Sequence, residues 1–145
     1  MGWRGDDDVG RISVELSLAN NQDVQLAQAG ALPAERVRRA QVEAVVDTGA
    51  TRLVLPEGVV QELGLTTVGQ TTVRYADQRT AIRPVVGNVW MSLLGRDSVF
   101  SAVVEPDRST ALVGAIVLEE LDLVADCSTQ TLYPRDPDRI ISEIE

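Results

Sequence analysis

Residues 45–56 read VVDTGATRLVLP, and the reading of the whole chain turns on the aspartate in their middle. The apolar pair Val45-Val46 runs straight into a carboxylate. Burying a charge costs several kcal/mol unless it is paired or protonated. Asp47 is therefore either a turn residue that reaches solvent at the end of a buried strand, or a group that the fold holds for a purpose. The rest of the chain has to decide between these.

Upstream, VRRAQVEAVV (37–46) is expected as a strand that becomes more apolar towards Asp47. RISVELSLA (11–19) alternates Ile12, Val14, Leu16 and Leu18 with polar or small residues, the period-two pattern of a half-buried strand. Asn20-Asn21 reads as a turn, with VQLAQA (24–29) returning as the second strand of a hairpin and GALPAER (30–36) as a connection. Downstream, PEGVVQELG (56–64) has proline at the first helical position and Gly64 at the stop of a short helix. TTVRYADQRTAIRPVVGNVWMSLL (71–94) predicts two strands around a tip at Ala76-Asp77-Gln78, with Pro84 at a bend or an edge. GRDS (95–98) is a turn and VFSAVVE (99–105) a strand. PDRST (106–110) leads to ALVGA (111–115), AIVLEELDL (115–123) fits one or two helical turns, and VADCSTQTLYP (124–134) fits a last hairpin. Many short strands with two short helices predict a mainly β, small closed or folded-over domain.

Composition narrows the function classes. The chain has 145 residues, enough for one domain with a real core. Its net charge is −9, and all 13 basic residues are arginine. Such a balance repels phosphate backbones, so no nucleic-acid partner is expected. No run approaches membrane-spanning length and the start lacks a secretory apolar core, so no membrane association and a cytoplasmic location are expected. The single cysteine, Cys127, has no internal disulfide partner, and the chain has no histidine. No metal and no cofactor are therefore expected.

VVDTGATRLVLP, together with ALVGAIVLEELDLVAD (111–126), resembles the retropepsin-like aspartic proteases, a family of single-domain enzymes that includes the retroviral proteases. Two apolar residues precede Asp47-Thr48-Gly49-Ala50, and Leu53, Val54 and Leu55 follow. Later in the chain, Leu112-Val113-Gly114 precedes a short helix and another strand. The resemblance implies the following layout: a disordered acidic leader over 1–9, a small closed β-barrel of the retropepsin type over 10–134 that functions as a homodimer, and a charged C-terminal tail over 135–145.

The implied activity is that of an aspartic endopeptidase, in which a water is activated between two carboxylates. Like charges about 3 Å apart cannot both ionise, so they share a proton; aspartic proteases are the standard case. The chain has no second Asp-Thr-Gly or Asp-Ser-Gly, because Asp97-Ser98 is followed by Val99. The second carboxylate has to be Asp47 of a symmetry-related copy. The resemblance assigns Asp47, Thr48 and Gly49 to the catalytic loop, with the threonine hydroxyl clamping the two loops together. It places Ala50, Tyr75, Ala76 and Asp77 against a peptide or protein substrate.

Residues 73–82 would form the flap, the hairpin that covers substrate. Tyr75 occupies a position similar to the flap tyrosine of the pepsin-like relatives, or is a cross-strand packing residue. Arg52 either faces the substrate groove or is solvated. Retroviral members pair an aspartate after Asp-Thr-Gly-Ala with an arginine after the second glycine. Here these positions are Thr51 and Ala115, so both partners of that ion pair are missing together. The alternative function is a catalytically inactive dimeric module that keeps the fold to bind peptides or assemble.

Overall fold

The structure, a computed structural model, describes residues 11–138. The expected leader, residues 1–9, and the last seven residues of the expected tail, 139–145, lie outside the described residues. In chain order the elements are β1 (Ile12–Asn20), α1 (Asn21–Gln28), a 3-10 turn (Ala34–Arg36), β2 (Arg39–Val46), β3 (Leu53–Pro56), α2 (Glu57–Leu63), β4 (Thr67–Arg74), β5 (Thr80–Leu93), β6 (Arg96–Glu105), β7 (Ala111–Val113), α3 (Ala115–Leu121), β8 (Leu123–Asp126) and β9 (Thr131–Pro134).

The first seven strands lie in the order β1-β2-β7-β3-β6-β5-β4, and β1 also pairs with β5. That extra pairing closes six strands into a barrel and leaves β4 outside the ring. Closure removes the edges of those six strands, and in this sheet β4 alone keeps an open side. The period-two pattern accounts for the interior: in β2, Ala40, Val42, Ala44 and Val46 are buried, while Arg39, Gln41 and Glu43 face out. Leu16, Leu55, Leu63, Met91, Val113 and Val117 are fully buried in the same core. Burying each such side chain contributes about 2 kcal/mol.

Several expectations hold in detail. Gly64 ends α2 in the left-handed region at φ 62°, and its N–H closes the helix on Gln61 O at 3.1 Å. Pro84 sits where β5 leaves β6, since the β5–β6 register ends at Val85↔Val103 while pairing to β4 continues through Gln70↔Pro84. The missing N–H therefore costs no ladder bond on the β6 side. The turn expected over 95–98 is tighter than its composition suggests. Leu94 and Gly95 both have positive φ, and β6 begins at Arg96.

One element differs: residues 24–29 form no strand, and 21–28 form helix α1, so the described residues contain three short α-helices, not two. Asn20 is an N-cap and not a hairpin turn residue, because its Oδ1 accepts from Asp23 N at 3.1 Å. Its Nδ2 donates to Leu63 O at 2.9 Å, tying α1 to the end of α2. Asp23 accepts from the Arg38 guanidinium, with Nε to Oδ2 at 2.8 Å and Nη2 to Oδ1 at 3.1 Å. Asp23 is the one buried residue of α1, and Leu26 is exposed. The helix is held by a cap and an ion pair, so it shows no apolar stripe for the sequence to reveal.

Candidate active site

Asp47 follows the last residue of β2, beside β7. Its N–H donates to Val113 O at 2.9 Å, extending the parallel β2–β7 ladder by one bond before the chain turns. The turn closes when Ala50 N donates to Asp47 O at 3.1 Å. Within it, Gly49 N donates to Asp47 Oδ1 at 2.9 Å, which fixes the carboxylate against its own loop. A Cβ on Gly49 would lie 3.3 Å from that same oxygen, so the glycine permits the close approach. Asp47 is exposed in the single chain. The strand is buried, and the loop carries the carboxylate out of the core.

Gly114 braces the loop from behind. A Cβ there would meet Arg52 O at 2.6 Å, the Thr51 carbonyl carbon at 2.7 Å and Ala50 O at 2.8 Å. Just past it, Ala115 N donates to Ala50 O at 2.8 Å and Ile116 N to Thr51 O at 2.9 Å. Thr51 and Ala115, which replace the ion pair of the retroviral members, therefore lie in a region held by backbone bonds. The first turn of α3 is docked directly onto the Asp47 loop.

A cavity of about 730 Å³ opens in front of this loop. Asp47, Gly49, Ala50, Tyr75 and Ala76 line it; among the described residues Thr48 and Asp77 are not in its wall. Thr48 is exposed on the loop. Asp77 is turned within the hairpin tip, with Oδ1 accepting from Arg79 N at 3.0 Å and Oδ2 paired with Arg79 Nε at 2.6 Å. The tip is a three-residue loop: Tyr75 N donates to Arg79 O and Gln78 N to Tyr75 O, both at 2.9 Å, and Gln78 takes φ 73°. Gln78 occupies the left-handed position that glycine usually fills in such loops.

Tyr75 is half-buried. Its hydroxyl donates to Glu105 Oε2 at 2.7 Å, and Arg83 Nε reaches both Tyr75 Oη at 3.1 Å and Glu105 Oε1 at 3.0 Å. Arg79 and Arg83 lie over the Tyr75 ring at 5.5 and 6.0 Å from its centroid. The bond to the Glu105 carboxylate, then burial, push the Tyr75 hydroxyl above its ordinary range, and Glu105 likewise raises Arg83. This network joins the hairpin to the end of β6. Glu105 and Arg83 were missed in the sequence, where nothing distinguishes them from solvated charges. The burial of Glu105 follows from Pro56↔Glu105 pairing at the end of the parallel β3–β6 ladder.

Arg52 lines the cavity, with Nη2 donating to Ser101 Oγ at 3.2 Å. Val54 and Leu112, partners across the β3–β7 pairing, supply an apolar floor with Val103.

Residues 35–117, more than half of the chain, match the family model described as aspartyl protease. The matched span includes the Asp47 loop and Gly114. No curated protein matches the sequence. Among solved structures, the chain resembles the foamy viral protease-reverse transcriptase at 14% identity and a TM-score of 0.51, over 75% of this chain and 12% of that one. It also resembles the Simian Foamy Virus protease at 12% identity and a TM-score of 0.46, over 73% of this chain and 90% of that one. The chain thus spans only 12% of the length of the protease-reverse transcriptase, and at such identity the likeness concerns the fold alone. With the match over 35–117 and the closed barrel around the Asp-Thr-Gly loop, the chain belongs to the aspartyl protease family, and its barrel is of the retropepsin-like kind.

Proposed function

We propose that the protein is an aspartic endopeptidase that works as a homodimer, with Asp47 of each copy contributing one carboxylate of the catalytic pair. The observation that carries this reading is the way Asp47 is presented. Its loop is hydrogen-bonded internally and braced by Gly114, yet its carboxylate is exposed beside a cavity of peptide-binding size.

In the aspartic mechanism one carboxylate takes a proton from water while another protonates the substrate carbonyl. Glu105 lines the same cavity, but its carboxylate is committed to Tyr75 and Arg83. A second Asp47 across a two-fold axis supplies what one chain lacks. In that pair, water sits between the two carboxylates, the ionised one accepts its proton, and the hydroxide equivalent attacks the carbonyl carbon. The protonated partner donates to the carbonyl oxygen, and the resulting tetrahedral diol collapses with proton transfer to the leaving amine.

Gly49 N–H holds the carboxylate in place, and exposed Thr48 is available to the partner loop. The hairpin of β4 and β5 acts as the flap, with Tyr75 beside its tip and Ala76 at the cleft. Substrate lies between the flap and the Asp47 loop, along Ala50. The catalytic domain comprises residues 10–134, with 1–9 and 135–145 as flanking segments.

The test is cleavage of a diverse peptide library by the purified protein from acid to neutral pH, with Asp47→Asn in parallel and the oligomeric state measured by sedimentation. Cleavage by a dimer that vanishes in Asp47→Asn is expected. A strictly monomeric active species would overturn the shared dyad. A stable dimer that cuts nothing would favour the peptide-binding module.

A further inference from the structure

The chain as a whole is acidic, with 22 acidic and 13 basic residues. The cavity beside Asp47 has the opposite balance: five arginines, Arg52, Arg74, Arg79, Arg83 and Arg108, line it against three carboxylates, Asp47, Glu105 and Asp107. Two of these arginines are neutralised locally, Arg79 by Asp77 and Arg83 by Glu105. The other three have no carboxylate within ion-pair distance among the described residues. Arg52 spends one donor on Ser101 Oγ. Arg108 uses Nε on Thr110 O at 2.9 Å and Nη2 on Thr110 Oγ1 at 3.2 Å, which orients its guanidinium and leaves its charge unmatched. Arg74 is the last residue of β4, just before the hairpin tip.

We infer that Arg52, Arg74 and Arg108 make this cleft selective for acidic peptide segments, substrates with Asp or Glu side chains on either side of the bond to be cut. This rests on the peptide-binding reading of the cleft and names its substrate class. Guanidinium groups present paired N–H donors that match a carboxylate. A concave wall with one prevailing sign concentrates its field on the ligand inside it. The three positions lie on different elements: Arg52 before β3, Arg74 on the flap strand and Arg108 after β6. A peptide threaded beneath the flap would therefore meet positive charge on several sides. Long-range charge works the other way, since a protein of net charge −9 attracts basic peptides. A preference for acidic ones has to arise in the cleft.

The test separates binding from turnover. Fluorescence anisotropy would measure binding of matched acidic, neutral and basic peptides to full-length Asp47→Asn protein, which cannot consume them. Binding is compared with the same protein carrying Arg52→Gln, Arg74→Gln and Arg108→Gln, singly and together. Arg39→Gln, on the exposed face of β2, controls for the change in net charge, and circular dichroism confirms folding.

The acidic peptide is expected to bind about tenfold more tightly than the neutral one at low salt. That advantage should be lost in the triple variant, kept in Arg39→Gln and reduced by added salt. Equal binding of the three peptides, or an acidic preference that survives the triple substitution, would overturn the inference. Wild-type protein that binds acidic peptides through these arginines but cleaves none leaves the inference standing and removes the protease reading. Cleavage of neutral and acidic peptides alike, unchanged by the arginine substitutions, does the reverse.

Discussion

Gly114 and Arg52 approach so closely that a single added methyl group has no room: a Cβ on Gly114 would lie 2.6 Å from the Arg52 carbonyl oxygen. The obstacle is backbone, with Thr51 C and Ala50 O almost as near, so no side chain can swing aside. Gly114→Ala is expected to destabilise the fold by about 3 kcal/mol, at the upper end for overpacking. The loop it displaces carries Asp47, so activity should fall by more than the folded fraction alone explains. Urea unfolding and turnover per folded molecule check both.

Tyr75→Phe removes one donor from the Tyr75–Glu105–Arg83 network and leaves the Arg83–Glu105 pair in place. A loss of about 1 kcal/mol in stability is expected. If the β4–β5 hairpin acts as the proposed flap, loosening its tie to β6 should change KM more than the stability loss implies. Tyr75→Ala also removes the ring between the two arginines, and turnover should fall well beyond the loss of stability. Unchanged kinetics in both variants would show the tyrosine to be packing alone.

The same hydroxyl predicts alkaline behaviour. Its folded pKa is raised above the ordinary 10.0. Its contribution is therefore fully present below that value and is lost as pH climbs through the folded pKa. Ultraviolet titration of tyrosinate should show a step above pH 10.0 that Tyr75→Phe abolishes.

Asp23 behaves oppositely. The Arg38 guanidinium and N–H hold its carboxyl below the ordinary 3.8. The stability it contributes is present above that value and is lost as pH falls through the lower folded pKa. Asp122, paired with Arg135, and Asp126, bonded to Ser128, are shifted in the same direction. Asp23→Asn should be less stable than the wild type near neutral pH. The difference should shrink as pH falls below about 3.8, which acid unfolding curves of the two proteins would show.

Asn20→Ala removes the cap on α1 and the bond to Leu63 O together. A cost of about 2 kcal/mol is expected, with hydrogen exchange rising first in α1 if the helix depends on that cap.

Much of this protein was legible in the order of its residues. Alternation along 11–19 and 37–46 marked β1 and β2, because one face of each is buried and the other is not. Pro56 and Gly64 bracketed α2 through local backbone geometry, although Pro56 caps the helix from the end of β3 and the first helical residue is Glu57. The Asp-Thr-Gly loop and Leu112-Val113-Gly114 were found for a related reason: both require particular residues at particular places, and Gly114 has no alternative. Helix α1 was not legible. Its support comes from Leu63 and Arg38, far along the chain, and a short polar helix without an apolar stripe looks like a turn and a strand. The tertiary structure also decided which charges matter. Arg83 and Glu105 are 22 positions apart and meet only because the β4–β5 hairpin folds against the end of β6. Arg52, Arg74 and Arg108 are three arginines among 13 until the barrel brings them around one cavity. Local geometry and periodicity are written in neighbouring residues, whereas the pairing of charges depends on distances in space that only the closed barrel sets.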